Sequence, residues 1–286
     1  MNVHSLSVVV GSTACNAKCP FCVSKMTPNN GVEVKVTPIN SRNLRKAISL
    51  AKSCGVNTAL ITGKGEPTLF PMQISDALFE LGNHFPLIEL QTNGLKLHEP
   101  DMDEYLTEWY NHGLTMINVS VVSQNPVLNQ QIYTGDKPYP DLNELIKKLH
   151  KHGFSVRLSV TMLDKIMSSW EDVKSFLVYA RSQGVEQVTM RPVASSRTSK
   201  DLDVTNFVRS FELKKVDITD LDGYFEFYGT RILTLPHGGC IYDVDGQNVC
   251  WTDCLTLPDK DDIRQLIYFP DGHLRYDWQY TGAIIF

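Results

Sequence analysis

The chain has no apolar run long enough to cross a bilayer, no block of like charge, and no even set of cysteines to pair off. Each shortfall closes off a class of protein. A spanning helix needs about 20 mostly apolar residues, which this 286-residue sequence nowhere supplies. Lys and Arg number 27 against 32 Asp and Glu, a formal net charge of -5, and this argues against wide contact with a nucleic-acid backbone such as RNA. Seven cysteines is an odd count, and the first residues, MNVHSLSVVVGST, lack a charged segment followed by a long apolar stretch and a cleavage site. A secreted disulfide scaffold is therefore disfavoured, and a reducing cytoplasm is the expected compartment.

What is present is a regular alternation. Short β-branched runs at 5–11, 57–62, 87–92, 115–121, 154–161 and 186–191 are separated by amphipathic helical stretches. Asp101 with Glu104, and Asp141 with Glu144, fit capping boxes, while Gly113, Gly153 and Gly184 fit helix ends. Val173, Phe176, Leu177 and Ala180 share one helical face. Repeated strand-helix units predict right-handed crossovers and six parallel strands, whose carboxyl ends carry the chemistry. Past about residue 198 the pattern changes: a polar stretch precedes three hairpin-like segments, GYFEFYGTRILTL, CIYDVDGQNVCW and RQLIYFPDGHLRYDW, with two Asp-Gly pairs as turns.

Directly after the first strand, ACNAKCPFC places Cys15, Cys19 and Cys22 in one loop. Thiolates at this density choose zinc or an iron-sulfur cluster; zinc wants a fourth ligand or a water, whereas a cubane held by three thiolates keeps one iron open. The CxxxCxxC spacing and its place after a strand resemble the signature of the radical S-adenosylmethionine (SAM) superfamily. That resemblance implies a [4Fe-4S] cluster on the three cysteines, with SAM chelated at the open iron through its amino and carboxylate groups. It also implies reductive cleavage of the sulfonium to methionine and a 5'-deoxyadenosyl radical that abstracts hydrogen from a substrate. The implied fold is α/β: a partial (β/α)6 TIM-like barrel of parallel strands over 1–198, with a β-rich extension over 199–286 covering the active site.

Further positions follow from the same resemblance. Phe21 stands where an aromatic residue lies near the adenine. ITGKGEPTLFP resembles the family's glycine-rich segment, so Gly63 and Gly65 are expected to bring backbone close to the cofactor, and Glu66 either accepts from its ammonium or orients the loop. Lys64 departs from the commoner Gly-Gly-Glu-Pro form. Asn93 in QTNG is a cofactor or substrate ligand, or a plain turn residue. Ser120 and Arg191 end later strands and are candidates for the ribose and the carboxylate, against a cap and a surface ion pair respectively. Independently of the resemblance, Arg157 interrupts an apolar strand as a substrate or ion-pair candidate, while His112 and His152 fit helix C-termini.

Cys240, Cys250 and Cys254 raise the question of an auxiliary cluster, with Asp243, Asp253 or His237 as a further ligand. A two-residue loop at Asp245-Gly246 puts Cys240 and Cys250 on opposite faces of a hairpin, whereas a three-residue loop unites them. The expected function is hydrogen abstraction from a small metabolite or nucleotide, with an external electron donor such as flavodoxin or ferredoxin. The alternatives are a peptide-modifying maturase with an auxiliary cluster, an iron-sulfur electron-transfer or sensing module, and a structural zinc fold.

Overall fold

The computed structural model describes residues 2–196, 198–236, 238–252 and 262–286. Its first two-thirds is the anticipated alternation: β1 (Asn2–Val9), α1 (Ser41–Ser53), β2 (Thr58–Thr62), α2 (Pro71–Leu81), β3 (Leu87–Thr92), α3 (Met102–Asn111) and β4 (Met116–Val121). A short α4 (Pro126–Asn129) runs into a π-helical turn at Gln130–Thr134, then come α5 (Leu142–Lys151), β5 (Ser155–Met162), α6 (Trp170–Ser182) and β6 (Gln187–Pro192). β1 to β6 are consecutive and parallel, as the strand spacing predicts. The sheet stays open, so the arrangement is a partial barrel.

Side-chain alternation explains the layers. Ala59, Ile61, Ile88, Leu90, Val119 and Leu158 point from successive strands into one buried core with Leu44, Ile74, Leu106, Leu145 and Phe176 of the covering helices. Burying each such aliphatic side chain contributes about 1.5–3 kcal/mol. Their neighbours on the other face are polar. The buried Glu89 carboxylate accepts from Gln91 Nε2 (3.1 Å), Asn118 Nδ2 (3.0 Å) and Arg157 Nη1 (2.5 Å), and Arg157 also donates to Gln187 Oε1. Arg157 is thus an ion-pair residue that cross-links the strands inside the barrel.

The helix ends follow the sequence in part. Gly113, Gly153 and Gly184 all adopt positive φ, as helix-terminating glycines do. Ser169 and Asp172 form a full capping box on α6, and Asp141 accepts from Asn143 and Glu144 amides. Asp101 caps nothing; its carboxylate goes to Lys96 Nζ at 2.8 Å, because an ammonium is the stronger donor.

The segment beyond 198 contains α7 (Leu202–Phe211), α8 (Lys215–Tyr228), β7 (Thr230–Thr234), β8 (Cys240–Val244), β9 (Gln247–Trp251), β10 (Asp262–Tyr268) and β11 (Leu274–Arg275). The GYFEFY stretch, expected in a hairpin, ends α8: Leu221 and Phe225 bury at helical spacing, and Phe225 stacks on Tyr242 and Trp251. β9 lies parallel to β6 and β10 parallel to β1, so this segment extends both edges of one 11-stranded sheet, ordered β11-β10-β1-β2-β3-β4-β5-β6-β9-β8-β7. The β8–β9 hairpin uses the two-residue turn, with Asp245 at φ 51 and Gly246 at φ 86. Its register pairs Val244 with Gln247 and Ile241 with Cys250, so Cys240 and Cys250 project from opposite faces. Cys254, Asp253 and His237 lie outside the described residues. Among the described residues no helix is long and apolar enough to cross a membrane.

Candidate active site

The carboxyl ends of the parallel strands open onto one cavity of about 830 Å³. The thiol loop leaves β1, the GKGEP loop leaves β2, the TNG turn leaves β3, and Ser120, Thr161 and Arg191 are the next-to-last residues of β4, β5 and β6; all of these contribute to the cavity lining. Every cofactor-site residue expected from the sequence is on its wall: Phe21, Gly63, Gly65, Glu66, Asn93, Ser120 and Arg191, together with Cys15, Cys19 and Cys22.

Three strand-end loops are bolted together. Glu66 N–H donates to the Ala14 carbonyl at 2.9 Å, which draws the glycine loop onto the thiol loop. Gly65 makes that approach possible, since a Cβ there would lie 2.0 Å from the Ala14 oxygen. The buried Glu66 carboxylate then accepts from Thr68 N (3.0 Å), Thr68 Oγ1 (2.6 Å), Thr92 Oγ1 (2.6 Å) and Asn93 N (2.9 Å), tying β2 and β3 ends together. Burial raises its pKa, and these four donors oppose the shift. Asn93 is similarly committed: Nδ2 donates to Asn16 Oδ1 at 2.8 Å and lies 3.8 Å from Cys15 Sγ, while Oδ1 accepts from Leu95 N. Within the chain, the bonds of Glu66 orient the loop, and those of Asn93 join the TNG turn to the thiol loop.

Ser120 and Arg191 also line the cavity. Arg191 Nη2 donates to Ser159 Oγ at 2.5 Å. Phe21 packs edge-on against Tyr133, centroids 6.3 Å apart, and against Phe207 of α7 at 6.4 Å.

The three thiols are free, and Cys15 is exposed to solvent. Burial pushes Cys19 above the ordinary thiol pKa, and the negative charge of the neighbouring Cys22 and Cys15 adds to it. Such a set is held ionised together by a cationic centre, which is the chemistry an iron cluster offers. No group of His, Cys, Asp or Glu among the described residues closes on a single metal ion. The cavity also holds an orphan: the Tyr133 hydroxyl is buried with no hydrogen-bond partner among the described residues. It lines the cavity together with Cys19 and Arg191.

Two of these residues escape a reading of the sequence. Tyr133 sits on a π-helical turn, whose carbonyl accepts from Lys18 N at 2.8 Å, and nothing local in NQQIYTG marks that turn. Lys64 shows in the sequence only as a departure from Gly-Gly-Glu-Pro, yet it is buried, with its ammonium in the cavity wall. Burial lowers its pKa to about 8, and the Cys22 thiolate opposes that fall.

A family model described as the radical SAM superfamily matches residues 9–177, more than half of the chain. Among curated proteins, the GTP 3',8-cyclase of Vibrio vulnificus is 25% identical over 175 residues, covering 60% of this chain and 49% of that protein. The Aeromonas hydrophila GTP 3',8-cyclase is 30% identical over 178 residues, with the same coverage of 60% and 49%. The chain thus spans about half the length of the curated relatives it matches. Among solved structures, Streptococcus suis SuiB bound to S-adenosylmethionine superposes with a TM-score of 0.64 at 17% identity, over 96% of this chain and 60% of that one. Methylornithine synthase superposes at 0.53 and 14% identity, over 79% and 63%. At such identities the structures share the fold.

Proposed function

The chain belongs to the radical SAM superfamily, and from that membership we propose that it cleaves SAM reductively to abstract hydrogen from a small metabolite or nucleotide. Its cofactors are a [4Fe-4S] cluster and SAM. When bound, they supply a carbon-centred radical able to break an unactivated C–H bond.

In this reading Cys15, Cys19 and Cys22 hold the cluster as thiolates. Gly63 and Gly65 offer backbone to the amino-acid part of SAM, Arg191 offers two-pronged hydrogen bonds to its carboxylate, and Phe21 offers a ring face to the adenine. Ser120 supplies a hydroxyl for the ribose. Glu66 and Asn93 act one step back, holding the glycine loop, the TNG turn and the thiol loop in register. Tyr133 donates its orphaned hydroxyl to the bound cofactor. The observation that carries the reading is the meeting of the thiol loop, the GKGEP loop and Arg191, from three different strands, on one cavity.

We assign residues 1–198 to the catalytic unit and 199–286 to an extension that buttresses it, through Phe207 against Phe21. Among the described residues none beyond Ala194 lines the cavity. A nucleotide substrate is favoured by the GTP 3',8-cyclases among the relatives. The peptide-maturase reading with an auxiliary cluster is weakened by the hairpin register, which sends Cys240 and Cys250 to opposite faces. An external one-electron donor of the flavodoxin or ferredoxin type completes the partners.

The test is anaerobic reconstitution, reduction with dithionite, and incubation with SAM and a panel of deuterated nucleotides and metabolites. Formation of 5'-deoxyadenosine carrying deuterium from one nucleotide or metabolite is expected. Cluster-loaded, reduced protein that yields no 5'-deoxyadenosine with any panel member would favour an electron-transfer or sensing module.

A further inference from the structure

Lys64 is 5% exposed, an unusual position for an ammonium unless its protons are met. They are met from one direction only. Nζ donates to the Ser24 carbonyl at 2.9 Å, the Thr27 carbonyl at 3.2 Å and Thr27 Oγ1 at 2.6 Å, which uses all three donors. Those acceptors belong to the turn that follows Cys22, where Lys25 N bonds the Cys22 carbonyl at 3.1 Å and Met26 N bonds the Val23 carbonyl at 3.0 Å. Among the described residues no carboxylate pairs with the ammonium, and its Ser24 acceptor lies two residues past Cys22.

We propose that Lys64 is a positioning residue that pins the segment after Cys22 to the glycine loop and sets a buried positive charge against the turn that begins at the third cluster ligand. Two consequences follow. The tether fixes where Cys22 presents its sulfur, just as the Glu66–Ala14 bond fixes the Cys15 end of the loop. The charge favours the more negative, reduced state of any cluster held there, because net charge and local hydrogen bonding set cluster potentials. The lysine in GKGEP thereby eases the one-electron reduction on which SAM cleavage depends.

The inference rests on the reading that Cys22 holds the cluster, and the experiment separates the two. Full-length wild type, K64M and K64R are reconstituted anaerobically and titrated electrochemically, with the reduced cluster read by electron paramagnetic resonance. Hydrogen exchange of residues 22–28 is measured on the apo proteins. In K64M the reduced-to-oxidised ratio at a fixed potential is expected to fall about tenfold, a shift of about 59 mV for one electron, and exchange in the segment is expected to rise. K64R keeps the charge and is expected to titrate with the wild type. A K64M cluster that titrates with the wild type overturns the proposal, and a K64R cluster displaced as far as K64M overturns it by assigning the effect to packing. Should K64M take up no iron, K64Q replaces it in the titration with the same two outcomes. Wild type that forms no iron-sulfur cluster overturns the underlying reading instead.

Discussion

Gly65→Ala isolates the contact that couples the two cofactor loops. Gly65 is not among the residues with positive φ, so alanine brings no backbone strain of its own, and the whole effect comes from the added methyl. That methyl would sit 2.0 Å from the Ala14 oxygen and 2.7 Å from the Ser12 oxygen, both backbone atoms that no rotamer change can move aside. Relief to an ordinary contact near 3.4 Å requires the loops to part by more than an ångström. The Glu66 N–H bond to Ala14, now 2.9 Å, then breaks. Losing one such bond and leaving a partly buried amide costs about 1–3 kcal/mol, which lowers Tm by roughly 2–10 °C at this chain size. Differential scanning calorimetry of the apo protein gives the stability, and iron and sulfide analysis after reconstitution gives cluster uptake. The expected result is a fall in both, since the thiol loop loses its anchor. An alanine variant with wild-type Tm and full iron uptake would refute the claim that this close approach positions the thiols.

Arg191→Met removes a charge-assisted donor pair and is expected to weaken SAM binding about 10- to 100-fold, measured by anaerobic equilibrium dialysis, with iron content unchanged. Tyr133→Phe deletes a hydroxyl that has no partner among the described residues, so Tm is expected to hold or rise, while SAM binding weakens about 3- to 10-fold; unchanged binding would return Tyr133 to the packing of the cavity wall. Asp271 concerns stability rather than the site. Burial alone would raise its carboxyl, but Arg275 donates to both oxygens, at 3.0 and 2.7 Å, and its net pKa is lowered from 3.8. A depressed folded value means that the contribution is complete above 3.8 and is lost as pH falls through the lower folded value. Asp271→Asn, which keeps one acceptor but removes the charge opposite the buried Arg275, is expected to cost about 1–3 kcal/mol in urea unfolding at neutral pH and to flatten the acid limb of the stability profile.

The barrel was legible because its strands obey a local rule. Runs such as TALIT and LIELQT alternate faces, Gly113, Gly153 and Gly184 close the helices between them, and the position of each loop at a strand end follows directly. The cysteine spacing carried the site. What stayed hidden depends on contacts distant in sequence. The pairing of β10 with β1 joins residues at opposite ends of the chain, and α8 wins over a hairpin only because Phe225 finds Tyr242 and Trp251 to stack upon. Glu66 was visible as a candidate, but its binding of Thr92 and Asn93 was not, because those partners arrive from the next strand. Tyr133 and Lys64 were invisible for the same reason: a phenol and an ammonium acquire meaning only when the cavity around them exists.

The central claim is that Cys15, Cys19 and Cys22 together hold a cluster with one iron left for SAM. Electron paramagnetic resonance of the anaerobically reconstituted, dithionite-reduced chain, recorded before and after addition of SAM, tests it most directly. A [4Fe-4S] signal that changes shape on SAM binding and vanishes when all three cysteines are replaced by alanine is expected. A signal of full strength in the triple variant, or a wild-type signal indifferent to SAM, would contradict it.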